Sequence, residues 1–135
     1  DWVQFHGDES QNETTHYGDK AFKAIGLGSI EDAETAKGWP GRVVLVDARD
    51  AFLRGGTGMS PPAELARMVC SFHPTILAGG LKPDNVHNAI LQFAPVGVDT
   101  ASGVETSPGN KDFKKIERFV EEAKNAFKKL ELNQE

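Results

Sequence analysis

A single cysteine, Cys70, is present in 135 residues, so no intrachain disulfide is available and no cysteine-rich zinc site can form. Positive charge is short as well: 15 Lys and Arg stand against 20 Asp and Glu, a net charge of −5. That balance argues against a nucleic-acid partner, because phosphate backbones recruit basic surfaces. The lysines between Lys111 and Lys129 alternate with Glu117, Glu121 and Glu122, the pattern of a solvated helix face. Long apolar runs are missing: none approaches the roughly 18 residues of a membrane-spanning helix, and the N-terminus lacks a basic start followed by an apolar core. No membrane partner is expected, and a reducing cytoplasm is the expected compartment. His6, His16, His73 and His87 have no short ligand spacing, so neither a metal nor another cofactor is expected.

What remains is a globular composition, 39% hydrophobic and 26% charged, with one unusual recurrence. Three glycine-bearing turns each follow a short apolar run: Asp47 to Gly58, Ala78-Gly79-Gly80-Leu81, and Thr100-Ala101-Ser102-Gly103-Val104-Glu105. A strand that ends in glycine and enters a helix gathers backbone N–H groups at the helix N-terminus, a geometry suited to phosphate. Three such turns at the same end of successive strands point to a phosphate-handling α/β enzyme.

Five β-rich apolar runs are read as strands: Trp2–Phe5, Ala21–Ile25, Val43–Val46, Thr75–Ala78 and Val96–Val98. Val43-Val44-Leu45-Val46 is continuous instead of alternating, as a strand covered on both faces requires. Ser29-Ile30-Glu31-Asp32 carries a capping residue with an acid three positions on and predicts a helix start, closed by Gly38, Pro40 and Gly41. Ser60-Pro61-Pro62 predicts a second start, with Leu65, Met68, Val69 and Phe72 inward. Lys82-Pro83-Asp84 predicts a third, with Val86, Ala89, Ile90 and Phe93 inward. The last helix begins near Asp112 and is expected to bury Phe113, Ile116, Phe119, Val120, Phe127 and Leu130. The stretch from Asp8 to Tyr17 reads as a short or irregular helix. Strand–helix alternation implies parallel strands with right-handed crossovers, and no linker divides residues 1–135.

Several of these segments closely resemble phosphoribosylanthranilate isomerase of tryptophan synthesis: Val3-Gln4-Phe5-His6-Gly7-Asp8-Glu9, Lys23-Ala24-Ile25, Leu45-Val46-Asp47-Ala48, Gly55-Gly56-Thr57-Gly58, Ile76 to Val86 through Gly79-Gly80-Leu81-Lys82-Pro83, and Gly97-Val98-Asp99-Thr100-Ala101-Ser102-Gly103-Val104-Glu105, extended by Pro108 to Asp112 and Lys115-Ile116. The family fold is a (β/α)8 TIM barrel. The resemblance implies that this chain covers five parallel βα units, the fourth to the eighth, with the first three missing, in keeping with an opening at Asp1 that runs straight into a strand. The family's general base, a cysteine in a Lys-Ile-Cys-Gly strand, has no counterpart here; Cys70 lies in a helical pattern. The arginine that holds the anthranilate carboxylate in the family has none either. An open sheet exposes apolar parallel edges, so the chain is expected to pair with the missing N-terminal segment or another copy, and alone to bind weakly without isomerising.

The resemblance implies an Amadori rearrangement, which needs an acid at the sugar ring oxygen and a base at the adjacent carbon. Asp47, at the end of Val43–Val46, is the candidate acid; taken alone it reads equally as a cap for the next turn. His6 and Asp99 are candidate substrate contacts; the alternatives are a hydrogen-bonded structural histidine and an aspartate that orients the neighbouring loop. Gly79, Gly80, Ser102 and Gly103 fall at the last two turns of the barrel, where this fold commonly holds phosphate, although a Gly-Gly pair also serves any tight turn needing positive φ. Family members usually carry Ser where Ala101 stands. Two other readings stay open: a non-catalytic ribose-phosphate-binding barrel fragment, and a different phosphate-binding barrel such as indole-glycerol-phosphate synthase, which Lys23 alone favours.

Overall fold

Short β-branched runs bounded by glycine, proline or polar turns fix the strands. The computed structural model, which describes residues 1–49, 51 and 61–133, lays them side by side in chain order. β1 (Val3–Phe5), β2 (Ala21–Gly26), β3 (Val44–Asp47), β4 (Thr75–Ala78) and β5 (Gly97–Val98) form one sheet in the order β1-β2-β3-β4-β5. Every neighbouring pair is parallel. Parallel neighbours require crossovers, and α1 (Gln11–Thr15), α2 (Ile30–Lys37), α3 (Pro61–Phe72) and α4 (Val86–Phe93) lie in them. After β5 comes a short antiparallel hairpin, β6 (Glu105–Ser107) and β7 (Asn110–Lys111), and then the long α5 (Phe113–Leu132). The chain is an α/β fold built on a parallel sheet, as the alternation implies.

Alternate residues along the strands point to opposite faces, and the two faces bury different sets. Ile25, Val44, Val46 and Leu77 pack with Ala33, Ala36, Val69, Ile90 and Phe119 of the helices. Ala24, Leu45 and Ala78 gather on the other face with Phe22 and Ile76 against them.

Helix starts are capped where the side chains allow it. Ser29 Oγ accepts from Asp32 N at 3.2 Å while Asp32 Oδ2 accepts from Ser29 N at 2.9 Å, a reciprocal pair that satisfies two otherwise orphaned N–H groups. Asp112 Oδ1 takes the N–H groups of Lys114 and Lys115 at 2.9 and 3.2 Å. Val86, Ala89, Ile90 and Phe93 are all buried, as the periodicity requires.

Four expectations are corrected. α4 begins at Val86, not near Pro83, because Asn85 and Val86 first close a turn on the Lys82 carbonyl. Phe72 is 72% exposed, since α3 turns Ala63, Ala66 and Val69 inward and leaves its last residue outside; the Lys37 ammonium sits 4.4 Å above its ring. Phe113 and Val120 are exposed on α5, whose buried face runs through Phe119, Ala123 and Ala126. Ile116, Phe127 and Leu130 pack, partly buried, against the same core. The β6–β7 hairpin is an addition to the expected elements, although Pro108-Gly109 marks its turn and Gly109 takes φ +82° there. Ser60 and the Gly55–Gly58 motif lie outside the described residues. Among the described residues no helix is long and apolar enough to cross a membrane.

Lys23 is buried at 6% exposure on β2, and it is not free. Its ammonium meets Glu9 Oε2 at 2.6 Å and also donates to the Gly7 carbonyl, anchoring the segment after β1. The Lys23 hydrogen bond holds the Glu9 carboxyl below its ordinary value of 4.5. A lowered carboxyl contributes stability above its unfolded value and loses it as pH falls through the folded one. The stability difference between the native chain and Glu9→Gln is therefore expected to be present near neutral pH and to vanish as pH drops below 4.5. Denaturant melts of both proteins across that range check this; a difference independent of pH would contradict it.

Candidate functional site

Parallel strands share a direction, so their C-terminal ends share a rim, and the register decides which residues meet there. Gly26 is level with Asp47, Asp47 with Ala78, and Leu77 with Val98. The residues that continue from these ends enclose a cleft of about 810 Å³. Its wall includes His6 after β1, Asp47 and Arg49 at the end of β3, Gly79 and Gly80 after β4, and Asp99 and Ser102 after β5. Of the residues singled out from the sequence, all but Gly103 line this cleft. Gly103 lies behind it, its Cα so close to the Leu81 carbonyl that a Cβ would overlap the oxygen.

Asp47 is the last residue of β3 and half-buried. Its two oxygens differ. Oδ1 is buried and has no hydrogen-bond donor; Oδ2 meets the Arg49 guanidinium at 3.1 Å. The Arg49 side chain is 80% exposed, and an ion pair held in water contributes little. Oδ1 rests against Gly79, where a Cβ would overlap it and would also crowd the Ala48 and Arg49 N–H groups. Gly79 adopts φ +96°, so glycine is needed there twice over, for the backbone angle and for the carboxylate.

The two turns offer backbone donors. Among the described residues, the N–H groups of Gly79, Gly80, Ser102 and Gly103 have no acceptor within the chain. Unpaired backbone N–H groups are costly when buried; those of Gly80 and Ser102 belong to exposed residues on the cleft wall, where an anion can take them. Ser102 opens a 3-10 turn, Ser102–Val104, and its hydroxyl adds a further donor. His6 and Asp99 are exposed on the same wall. Among the described residues no group of three or more His, Cys, Asp and Glu is placed to hold a metal ion. Cys70 sits on α3, and burial pushes its thiol up to about 11, the character of a structural thiol and not of a base. Sequence reasoning passes over Arg49 and Thr100. Arg49 has only its place two residues after Asp47 to recommend it, and Thr100 has no signal beyond adjacency to Asp99.

Comparison with known proteins bears on this arrangement. The family described as N-(5'-phosphoribosyl)anthranilate (PRA) isomerase matches residues 1–122. An N-(5'-phosphoribosyl)anthranilate isomerase of Magnetococcus marinus is 41% identical over 126 residues, covering 93% of this chain and 60% of the relative. The crystal structure of phosphoribosyl anthranilate isomerase from Thermotoga maritima superposes with a TM-score of 0.70 at 30% identity, over 91% of this chain and 61% of that one. Another phosphoribosyl anthranilate isomerase, solved in complex with reduced 1-(o-carboxyphenylamino)-1-deoxyribulose 5-phosphate, superposes with a TM-score of 0.69 at 32% identity, over 91% and 59%. The chain thus spans about three fifths of the length of the relatives it matches. The relatives it matches are named as isomerases. They give no support to the expectations of inactivity, of absent strands, or of pairing with a missing segment.

The contrast between the two glycines is testable. Gly79→Ala combines a disfavoured φ with overlap on Asp47, whereas Gly80→Ala, at φ +82° with open space around its Cβ, meets only the backbone cost. Gly80→Ala is expected to lower stability by about 1–2 kcal/mol, and Gly79→Ala by more. Urea melts of the two variants measure the difference; equal losses would remove the Asp47 contact as a constraint.

Proposed function

The chain belongs to the N-(5'-phosphoribosyl)anthranilate isomerase family, and from that premise we propose that its cleft carries the Amadori rearrangement of N-(5'-phosphoribosyl)anthranilate to the carboxyphenylamino-deoxyribulose phosphate. In this reading the phosphate of the substrate rests on the N–H groups of the Gly79-Gly80 and Ser102-Gly103 turns, with the Ser102 hydroxyl as an additional donor. Asp47 gives a proton to the ring oxygen as the bond from that oxygen to the anomeric carbon breaks and the amine lone pair forms the iminium. A general base other than these residues takes the proton from the neighbouring sugar carbon, and the resulting enaminol loses its hydroxyl proton and is protonated at the anomeric carbon to give the ketose. His6 and Asp99 contact the sugar and the aromatic amine from the walls.

One observation supports the reading above the others: Asp47 and both glycine turns open into the same cleft. An acid on a different rim would leave phosphate binding without chemistry. We also read the parallel sheet as belonging to a (β/α)8 TIM-barrel fold, supported by its all-parallel sequential order and by the phosphoribosyl anthranilate isomerase structures on which it superposes. A cytoplasmic location belongs to the same proposal.

Asp47→Asn keeps shape while removing the proton donor. It is expected to lower the isomerisation rate by roughly 10²–10⁴-fold, the usual share of a general acid, and to leave the affinity for inorganic phosphate essentially unchanged. Steady-state turnover and phosphate titration of the same protein read both quantities. Unaltered turnover would remove Asp47 from the mechanism.

A further inference from the structure

The two anion-binding turns come from different strands, yet a single phosphate has to meet both. Thr100, half-buried between Asp99 and the second turn, is where they are joined. Its Oγ1 donates to the Leu81 carbonyl at 2.6 Å, and Leu81 directly follows Gly79-Gly80. No backbone N–H among the described residues donates to that carbonyl. Gly103 presses on the same oxygen, and a Cβ there would also stand 2.7 Å from Thr100 Oγ1. One carbonyl, one hydroxyl and one bare Cα thus form the junction.

Each turn is separately tied on its own side. Asn85 accepts from Lys82 N at 2.8 Å and donates to the Gly80 carbonyl at 3.0 Å. Lys111 Nζ donates to the Ala101 carbonyl at 2.9 Å. Because the peptide bonds are trans, a carbonyl held on one side turns the next N–H to the other; the Lys111 contact thereby directs the Ser102 N–H away from Lys111. These ties set the orientation of N–H groups within a turn. The distance between the turns depends on Thr100, whose bond to Leu81 is the one hydrogen bond joining them among the described residues.

We propose that Thr100 is a positioning residue of the phosphate cradle: its hydroxyl holds the Gly79-Gly80 and Ser102 turns at the separation that lets both meet one phosphate. This rests on the phosphate reading above. Thr100→Val is nearly isosteric and removes only the hydroxyl; Thr100→Ser keeps it. Inorganic phosphate titrated calorimetrically into the full 135-residue chain is expected to bind Thr100→Val about 10-fold more weakly, consistent with one lost hydrogen bond and an unpaired carbonyl, while Thr100→Ser stays close to the parent. Thermal melts run alongside separate the roles: a Thr100→Val protein that melts lower but binds phosphate with the parent affinity, or a Thr100→Ser as weak as Thr100→Val, overturns the proposal. Amide shifts of Gly80 and Ser102 in the parent chain give a test that needs no variant. Both are expected to titrate with one dissociation constant, and two different constants would mean separate ions and no shared cradle. Absence of any phosphate binding by the parent chain would instead remove the cradle reading itself, and Thr100's role with it.

Discussion

The alignment of β3 with β4 is the constraint on which the cleft depends. Because Asp47 is level with Ala78, the residue after Ala78 must pass the Asp47 carboxylate, and it can do so only without a side chain. Gly79 answers that demand and, at φ +96°, redirects the chain along the rim. A shift of one residue in this pairing would turn Asp47 to the opposite face of the sheet and send the glycine turn past a different strand end. The proposed acid and the proposed anion cradle therefore both follow from one parallel register.

The same register explains the way the rim is built up outward. β5 contributes only Gly97 and Val98 to the ladder, paired with Ile76 and Leu77 of β4. The chain leaves the sheet early, which places Asp99 and Thr100 at the mouth of the cleft. A strand this short defines the mouth only if the segment beyond it is stiff. The hairpin and α5 supply that stiffness: Lys111 pairs with Glu105 at 2.6 Å, Lys115 donates to the Glu105 carbonyl at 2.7 Å, and Asp112 N closes on the Val104 carbonyl at 2.8 Å. The Lys111 contact also holds the Glu105 carboxyl below its ordinary value. The second turn is thus braced from the helix side, where no ligand competes.

Much of this is legible in the order of residues because the signals are local. Thr75–Ala78 is a strand at the bounds its composition predicts, Ser29 and Asp32 form the capping pair their spacing implies, and the rim position of Asp47 follows from its place at the end of a β-branched run. Local signals fail where a partner element makes the decision. Phe113 and Val120 obey a helical period, but the buried face of α5 runs through Phe119, Ala123 and Ala126, and periodicity alone does not rank an alanine above a phenylalanine. Lys23 shows the same limit. Its buried ammonium is explained by Glu9 and by a carbonyl 16 residues away, and no motif foretells that pairing. Thr100 is the extreme case, an ordinary residue whose meaning lies entirely in the carbonyl of another loop.

A cradle made of N–H groups suits this chain for a reason that its charge makes plain. The chain carries a net −5, and Asp47 and Asp99 both stand on the cleft wall, charges that oppose the approach of a phosphorylated ligand. Capture has to come from short-range, directional donors. Backbone dipoles fixed by the fold provide these without reorganising when the ligand arrives. A lysine in the same place would attract phosphate from farther away, but it would also form a charge-assisted bond with Asp47 and occupy the oxygen that the chemistry needs. Arg49 shows how such a cation is tolerated: it lines the cleft wall with its side chain largely in water, where its hold on Oδ2 is weak enough to be exchanged. In the proposed reading, binding the anion through the backbone keeps the Asp47 carboxyl available, so that an acid and a phosphate site can share one small rim.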